Sequence, residues 1–201
     1  MGADARPVIG LSDTVFDVNI TPDRGYALSA RGLSREIASA LDLDFSDVAE
    51  NPQLAGLSVT VPDVSGDLLS VELQPETKAL RFGLRKVSGI DSTVESPWWL
   101  QRELMLCGQR PVNAATDVTN YLMLLLGQPM HAFDAAKITQ PVQVRMAKEG
   151  EELVLLDGTT AKLQPNTLLI ADQKGPLAMA GIFGGLASGV AHETKDVILE
   201  A

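Results

Sequence analysis

The sequence predicts an α+β layered domain, and three observations carry that prediction. Strand-like runs are grouped together with a few helical runs among them, most densely in the last third. This grouping disfavours the regular βαβ alternation of a doubly wound nucleotide-binding sheet. The 201 residues are 45% hydrophobic and 21% charged, which is enough apolar side chain for a sizeable core. The chain also carries 17 Gly and 11 Pro, a composition that cuts it into many short elements.

Taken in order, Phe16-Asp17-Val18-Asn19-Ile20 alternates apolar and polar residues, the period of a half-buried strand. Thr21-Pro22-Asp23-Arg24-Gly25 supplies turn chemistry. Leu33, Ile37, Ala40 and Leu41 recur at three- and four-residue spacing and predict an amphipathic helix over 29–41. After an acidic connector over 42–56, Leu57, Val59 and Val61, then Leu69, Val71 and Leu73, alternate as strands. Ser96 reads as an N-cap, Pro97 as the first helical position and Gly108 as the stop of a helix over 98–107. A second helix over 116–126 places Val118, Leu122 and Leu125 on one face and stops at Gly127.

The last third is mostly strand. Residues 142–146 alternate, Asp157-Gly158 marks a hairpin between 153–156 and 162–163, and 168–171 is a continuous apolar run. Two further runs close the chain, 177–183 ending in Gly184-Gly185, and 197–200. The chain shows no internal repeat and no low-complexity tract.

The formal net charge of -10 disfavours a domain whose main task is gripping nucleic acid by its phosphates. The charge is unevenly spread, about -8 over 1–75, +2 over 76–150 and -4 over 151–201. No run reaches the length a membrane helix needs and the N-terminus lacks a signal-peptide pattern, so the expected compartment is the cytoplasm, with no membrane partner. Cys107 is the single cysteine, which excludes an intrachain disulfide and disfavours a cysteine-based zinc site. No metal site is expected.

His131 is one of two histidines and lies in the loop-like stretch Gly127-Gln128-Pro129-Met130-His131-Ala132-Phe133-Asp134. A lone histidine is more often a structural hydrogen-bonder than a catalyst. Thr119 and Asn120 offer a hydroxyl and an amide eleven or twelve residues earlier. His192, in a polar stretch, reads as a solvated loop residue. Gly181, Gly184 and Gly185 lack the spacing and following residues of a phosphate loop, and read better as places where a ligand or another backbone comes close. Glu200 ends an apolar run and is either the surface end of a strand or a carboxylate aimed into a pocket, the former being the commoner case. Asp117, Asp134, Asp157 and Asp172 are scattered near caps and turns, and no serine sits in a nucleophile elbow.

Several words of this sequence, in this order and spacing, resemble the beta subunit of bacterial phenylalanyl-tRNA synthetase, in its central editing module. They are 18–24 (VNITPDR) with 32–36 (GLSRE), 96–101 (SPWWLQ), 117–121 (DVTNY), the stretch 127–134, 180–185 (AGIFGG) and the closing Leu199-Glu200-Ala201. The chain departs from the family's commoner words at Asp23-Arg24-Gly25-Tyr26 and at Gln109, before Arg110-Pro111.

The resemblance implies a three-layer β/β/α sandwich that hydrolyses tyrosine mistakenly attached to tRNA(Phe). It implies one composite module over 1–201, a smaller part of about 1–75 packed on 76–201, within a longer parent chain. Thr119, Asn120 and His131 fall where the family carries out hydrolysis, and Gly181 and Glu200, with His131, where it binds the substrate, Glu200 reaching the tyrosine hydroxyl. This stretch would need no cofactor, whereas the parent enzyme would use ATP and magnesium. The partners implied are tRNA(Phe) and the synthetase alpha subunit in an alpha2-beta2 assembly. The competing expectation is a non-catalytic module of the same subunit that contacts tRNA or another subunit.

Overall fold

The computed structural model describes residues 2–51, 63 and 65–201. The strand expected around Leu57, Val59 and Val61 lies outside them. The chain forms two units, one of Met1–Val64 with Glu95–Pro129, the other of Ser65–Val94 with Met130–Ala201. The units interleave along the sequence, residues 95–129 grouping with the N-terminal segment. The α+β class is what the structure shows, with helices in the first unit and sheets in the second.

In the helical unit, α1 spans Ala30–Leu41, and the Ser29 hydroxyl accepts the Gly32 N–H at 3.1 Å as its N-cap. Gly32 must be glycine, because a Cβ there would run into the Tyr26 carbonyl. A 3₁₀ turn over Pro22–Leu28 precedes α1 and realises the turn chemistry of 21–25. The strand expected over 16–20 does not form, and Phe16 (80%) and Val18 (45%) are exposed. Alternation makes a strand only where a sheet edge receives it, and every described strand belongs to the other unit.

Helix α2 spans Trp98–Leu106 and buries Leu100 and Leu104. Its start corrects the sequence reading. Pro97, not Ser96, is the N-cap, and the Ser96 hydroxyl donates instead to Asp117 Oδ2 at 2.6 Å. Helix α3 spans Ala114–Leu126, two residues longer at its start than expected, because Asn113 Oδ1 accepts the Thr116 N–H at 3.0 Å. Gly127 ends it in the left-handed region at φ 83°. Val118 is exposed, and the buried α3 positions are Asp117 and Thr119. Asp117 turns inward because it serves two donors, Ser96 Oγ and the Val112 N–H at 2.8 Å. Trp99 meets Tyr121 edge-on, with ring centroids 5.5 Å apart, and ties α2 to α3.

The sheet unit holds ten strands among the described residues. They are β1 (Val71–Leu73), β2 (Leu84–Ser88), β3 (His131–Asp134), β4 (Val142–Met146), β5 (Glu152–Val154), β6 (Thr160–Lys162), β7 (Leu168–Asp172), β8 (Gly175–Met179), β9 (Phe183–Gly184) and β10 (Asp196–Glu200). A five-stranded sheet runs β1-β4-β7-β8-β9, parallel only between β1 and β4. An antiparallel three-stranded sheet runs β2-β10-β3. Strands β5 and β6 form the expected hairpin, with Gly158 at φ 84°.

Two corrections concern this unit. The stretch around His131, read as a loop, is strand β3, and the run 177–183 is broken by a turn in which Gly181 takes φ 67°. The core joins the two sheets. Phe133 and Ile198 come from the three-stranded one, and Val142, Val144, Ile170, Leu177 and Ala178 from the five-stranded one. These are two of the layers that the β/β/α expectation requires.

The Asp117 arrangement makes a first prediction. Asp117→Ala leaves a buried hydroxyl and the Val112 N–H unpaired and lowers unfolding stability by about 3 kcal/mol. Urea unfolding measures it, and a loss below about 1 kcal/mol would contradict the structural role given to this carboxylate.

Candidate functional site

His131 opens β3, and Glu200 closes β10 directly opposite it in the antiparallel register. Ile198 pairs with Phe133 two residues on, and side chains alternate along a strand. His131 and Glu200 therefore project from the same sheet face as Phe133 and Ile198, the face that packs into the core. The His131 ring meets the Phe133 ring at 4.6 Å between centroids. On its other flank it lies against the main chain of Gly184 in β9, where an added Cβ would fall 2.8 Å from Nε2 and closer still to Cε1. Glycine at 184 is thus the condition for the imidazole to sit where it does.

Burial has opposite effects on the two groups. Removal from water lowers the His131 pKa, which favours the neutral imidazole. The same cause pushes the Glu200 carboxyl up from 4.5 to about 7. His131 Nε2 is buried and has no hydrogen-bond partner among the described residues. Near neutral pH the site therefore presents an uncommitted imidazole nitrogen beside a carboxyl able either to donate or to accept a hydrogen bond. Such a pair can read a hydroxyl group and can take up or hold a proton.

The other expected residues are distributed between the units. Gly181 lies three residues before Gly184, in the β8–β9 turn; a Cβ there would meet nothing within 4 Å, so its positive φ, not crowding, calls for glycine. Thr119 and Asn120 lie on α3 of the helical unit. The Thr119 hydroxyl is buried and donates to the Thr116 carbonyl at 2.8 Å, which leaves its lone pairs open, and Asn120 is half-buried. His192 is exposed, in keeping with its reading as a loop residue. Asp134 and Asp172 are buried and hold turn N–H groups, and Asp157 caps its hairpin through Thr159. The residue missed as part of the site is Gly184, although the paired glycines at a strand end did signal a close approach.

Among the described residues no group of three or more His, Cys, Asp or Glu side chains could hold a metal ion. No helix among them is long and apolar enough to cross a membrane.

A family model described as the B3/4 domain matches residues 78–201. The chain belongs to the B3/4 domain family. Over its whole length this B3/4 chain is 62% identical to a protein of Corynebacterium glutamicum named phenylalanine-tRNA ligase beta subunit, and 48% identical to one of the same name from Nocardia farcinica. It spans only 24% and 23% of those proteins, about a quarter of the length of the curated relatives. A crystal structure of an N-terminal fragment of the phenylalanyl-tRNA synthetase beta subunit from Pyrococcus horikoshii shares the fold at a TM-score of 0.53, with 18% identity. The likeness covers 94% of this chain and 57% of that one.

The packing around His131 has two measurable consequences. Gly184→Val drives a side chain into the imidazole and displaces it, which 1H–15N spectra of the histidine ring would record as a shifted Nε2 resonance and pKa; an unchanged resonance would contradict the contact. The second concerns Glu200. Its carboxyl stays protonated in the fold between about pH 4.5 and 7 while it ionises in the unfolded chain, so stability is full below 4.5 and falls as pH rises toward 7. Above that it is flat, having lost about 3 kcal/mol. Glu200→Gln removes this titration, so urea unfolding should show the variant gaining on the unsubstituted chain between about pH 4.5 and 7, and a constant difference would contradict the desolvation of the carboxyl.

Proposed function

We propose that this B3/4 domain is an editing hydrolase, which cleaves the ester joining tyrosine to tRNA(Phe) when a phenylalanine-tRNA ligase has charged the wrong amino acid. The observation that carries the reading is the half-buried pair of Glu200 and His131, opposite one another on adjacent strands. Tyrosine differs from phenylalanine by one hydroxyl. A buried site built to hydrogen-bond that hydroxyl discriminates strongly, because the analogue lacking it leaves the site's polar groups unpaired. The Glu200 carboxyl supplies the phenol's partner, and the bond is stronger when the carboxyl is ionised.

Hydrolysis of an aminoacyl ester needs a positioned water and polar groups around the carbonyl, and no covalent nucleophile. His131 Nε2, neutral and uncommitted, can accept a proton from that water and return it to the leaving ribose oxygen. The resemblance adds Thr119 and Asn120 as hydrolytic helpers and Gly181 as a wall of the substrate site. The reading extends to a cytoplasmic parent enzyme that joins phenylalanine to tRNA(Phe) with ATP and magnesium, in an alpha2-beta2 assembly.

The test is deacylation of tyrosyl-tRNA(Phe), with phenylalanyl-tRNA(Phe) as control, by the chain and by the assembled ligase that contains it. Tyrosine-selective release is expected. His131→Ala should slow it about a hundredfold, and Glu200→Ala by tenfold or more, the worth of one hydrogen bond to a charged group. Thr119→Ala and Asn120→Ala measure the helpers separately. Full tyrosine clearance by folded His131→Ala and Glu200→Ala enzymes would overturn the site, and no clearance by the unsubstituted assembly would overturn the function.

A further inference from the structure

Residues 78–86 carry Lys78, Arg81, Arg85 and Lys86 with no acidic residue among them, in a chain whose net charge is -10. All four are exposed. Lys86 is paired with Asp196 at 2.9 Å, whereas Lys78 and Arg81 make no ion pair among the described residues. The segment leads into β2, an edge of the three-stranded sheet. An edge strand offers main-chain N–H groups that no neighbouring strand satisfies.

This basic segment is joined directly to the candidate site. Leu84 pairs with Glu200, and Gly83 exchanges two main-chain hydrogen bonds with Ala201, at 2.7 and 3.0 Å. The Cα of Arg81 lies no more than about 7 Å from that of Gly83, the reach of two extended residues. A run of like charge is usually a solvated face. Here it is the local exception in an acidic chain, and it adjoins the strand end that carries the half-buried Glu200 carboxyl.

We propose that this basic edge receives the phosphate backbone of the RNA whose aminoacylated end enters the Glu200 and His131 site. The inference rests on the editing reading and deepens it by naming where the nucleic acid lies. Phosphate contacts from Lys and Arg supply affinity without reading sequence, and they offset the repulsion that an acidic chain exerts on a polyanion. Lys78 and Arg81 are positioning residues: they hold the RNA and do not touch the ester.

The experiment uses the full chain with the double substitution Lys78→Ala and Arg81→Ala, both at exposed positions, with an unchanged thermal midpoint as the folding control. Three readouts are compared with the unsubstituted chain. Binding of uncharged tRNA(Phe) is measured against salt, where two lost phosphate contacts should flatten the slope of log K against log salt by about 1.4 to 1.8. KM for tyrosyl-tRNA(Phe) should rise about tenfold with kcat unchanged. Hydrolysis of the tyrosyl ester of adenosine, which has no phosphate, should be unaffected.

An unchanged salt slope and KM in the double variant would overturn the basic edge while hydrolysis by the parent chain left the editing reading standing. A flattened slope with no hydrolysis by the parent chain would do the reverse. An absence of salt-dependent RNA binding by the parent chain would overturn the basic edge outright.

Discussion

The pairing of β3 with β10 is the constraint on which the site depends. It joins strands far apart in sequence and fixes three relations at once: Phe133 and Ile198 in the core, His131 opposite Glu200, and the end of β10 beside β2. Because side chains alternate, a slip of one residue would set Ala132 opposite Glu200, or Leu199 opposite His131, and break the pair. The far end of β3 is held against such a slip by a buried polar network. Asp134 accepts the Ala136 N–H at 3.0 Å and the Thr194 hydroxyl at 2.8 Å, and Thr194 in turn accepts the Ala191 N–H. Apolar packing sets which face points inward, and the network sets where along the strand the pairing begins.

The same pairing gives the site its chemistry. A carboxyl and an imidazole at an exposed sheet end would titrate near their ordinary values and would be solvated by water. Half-buried on the core-facing side of the sheet, both are biased toward their neutral forms, and one imidazole nitrogen is left without a partner among the described residues. The cost of an unpaired buried polar group, about 1–3 kcal/mol, is what makes a site selective for the ligand group that can pair with it. Gly184 is part of that construction, since its missing side chain is the space the ring occupies.

Much of the fold is legible in the sequence because its punctuation is local. Gly108, Gly127 and the Asp157-Gly158 turn act through their own backbone neighbours, and the structure places helix ends and the hairpin where they predict. The misreadings come from interactions that are not local. Ser96 has the right identity for a cap, but its hydroxyl is taken by Asp117, twenty-one residues away. Phe16–Ile20 has a strand's period but, among the described residues, no strand of its own unit to pair with. Strand β2 (LRKVS) has little apolar pattern, and β3 is only four residues long, so both depend on β10 to exist as strands. For the site, the identity of His131 and Glu200 was legible by resemblance, whereas their adjacency and the fit of His131 against Gly184 required the ladder.

Under the proposed function, selectivity and affinity pull in different directions. Reading one hydroxyl demands desolvation, and desolvation demands rigid strands around the reading groups, which leaves little surface for a large substrate to grip. Holding a polyanion demands exposed cations, which cannot be placed inside such a core without heavy cost. The three-stranded sheet can meet both demands because its central strand is shared. Along β10, Glu200 faces the core beside His131, and on the flank away from β3 the chain pairs with β2 and its basic approach. A substrate whose chemistry is at one end and whose charge is along its backbone suits that arrangement, since each part meets the surface built for it and neither compromises the other.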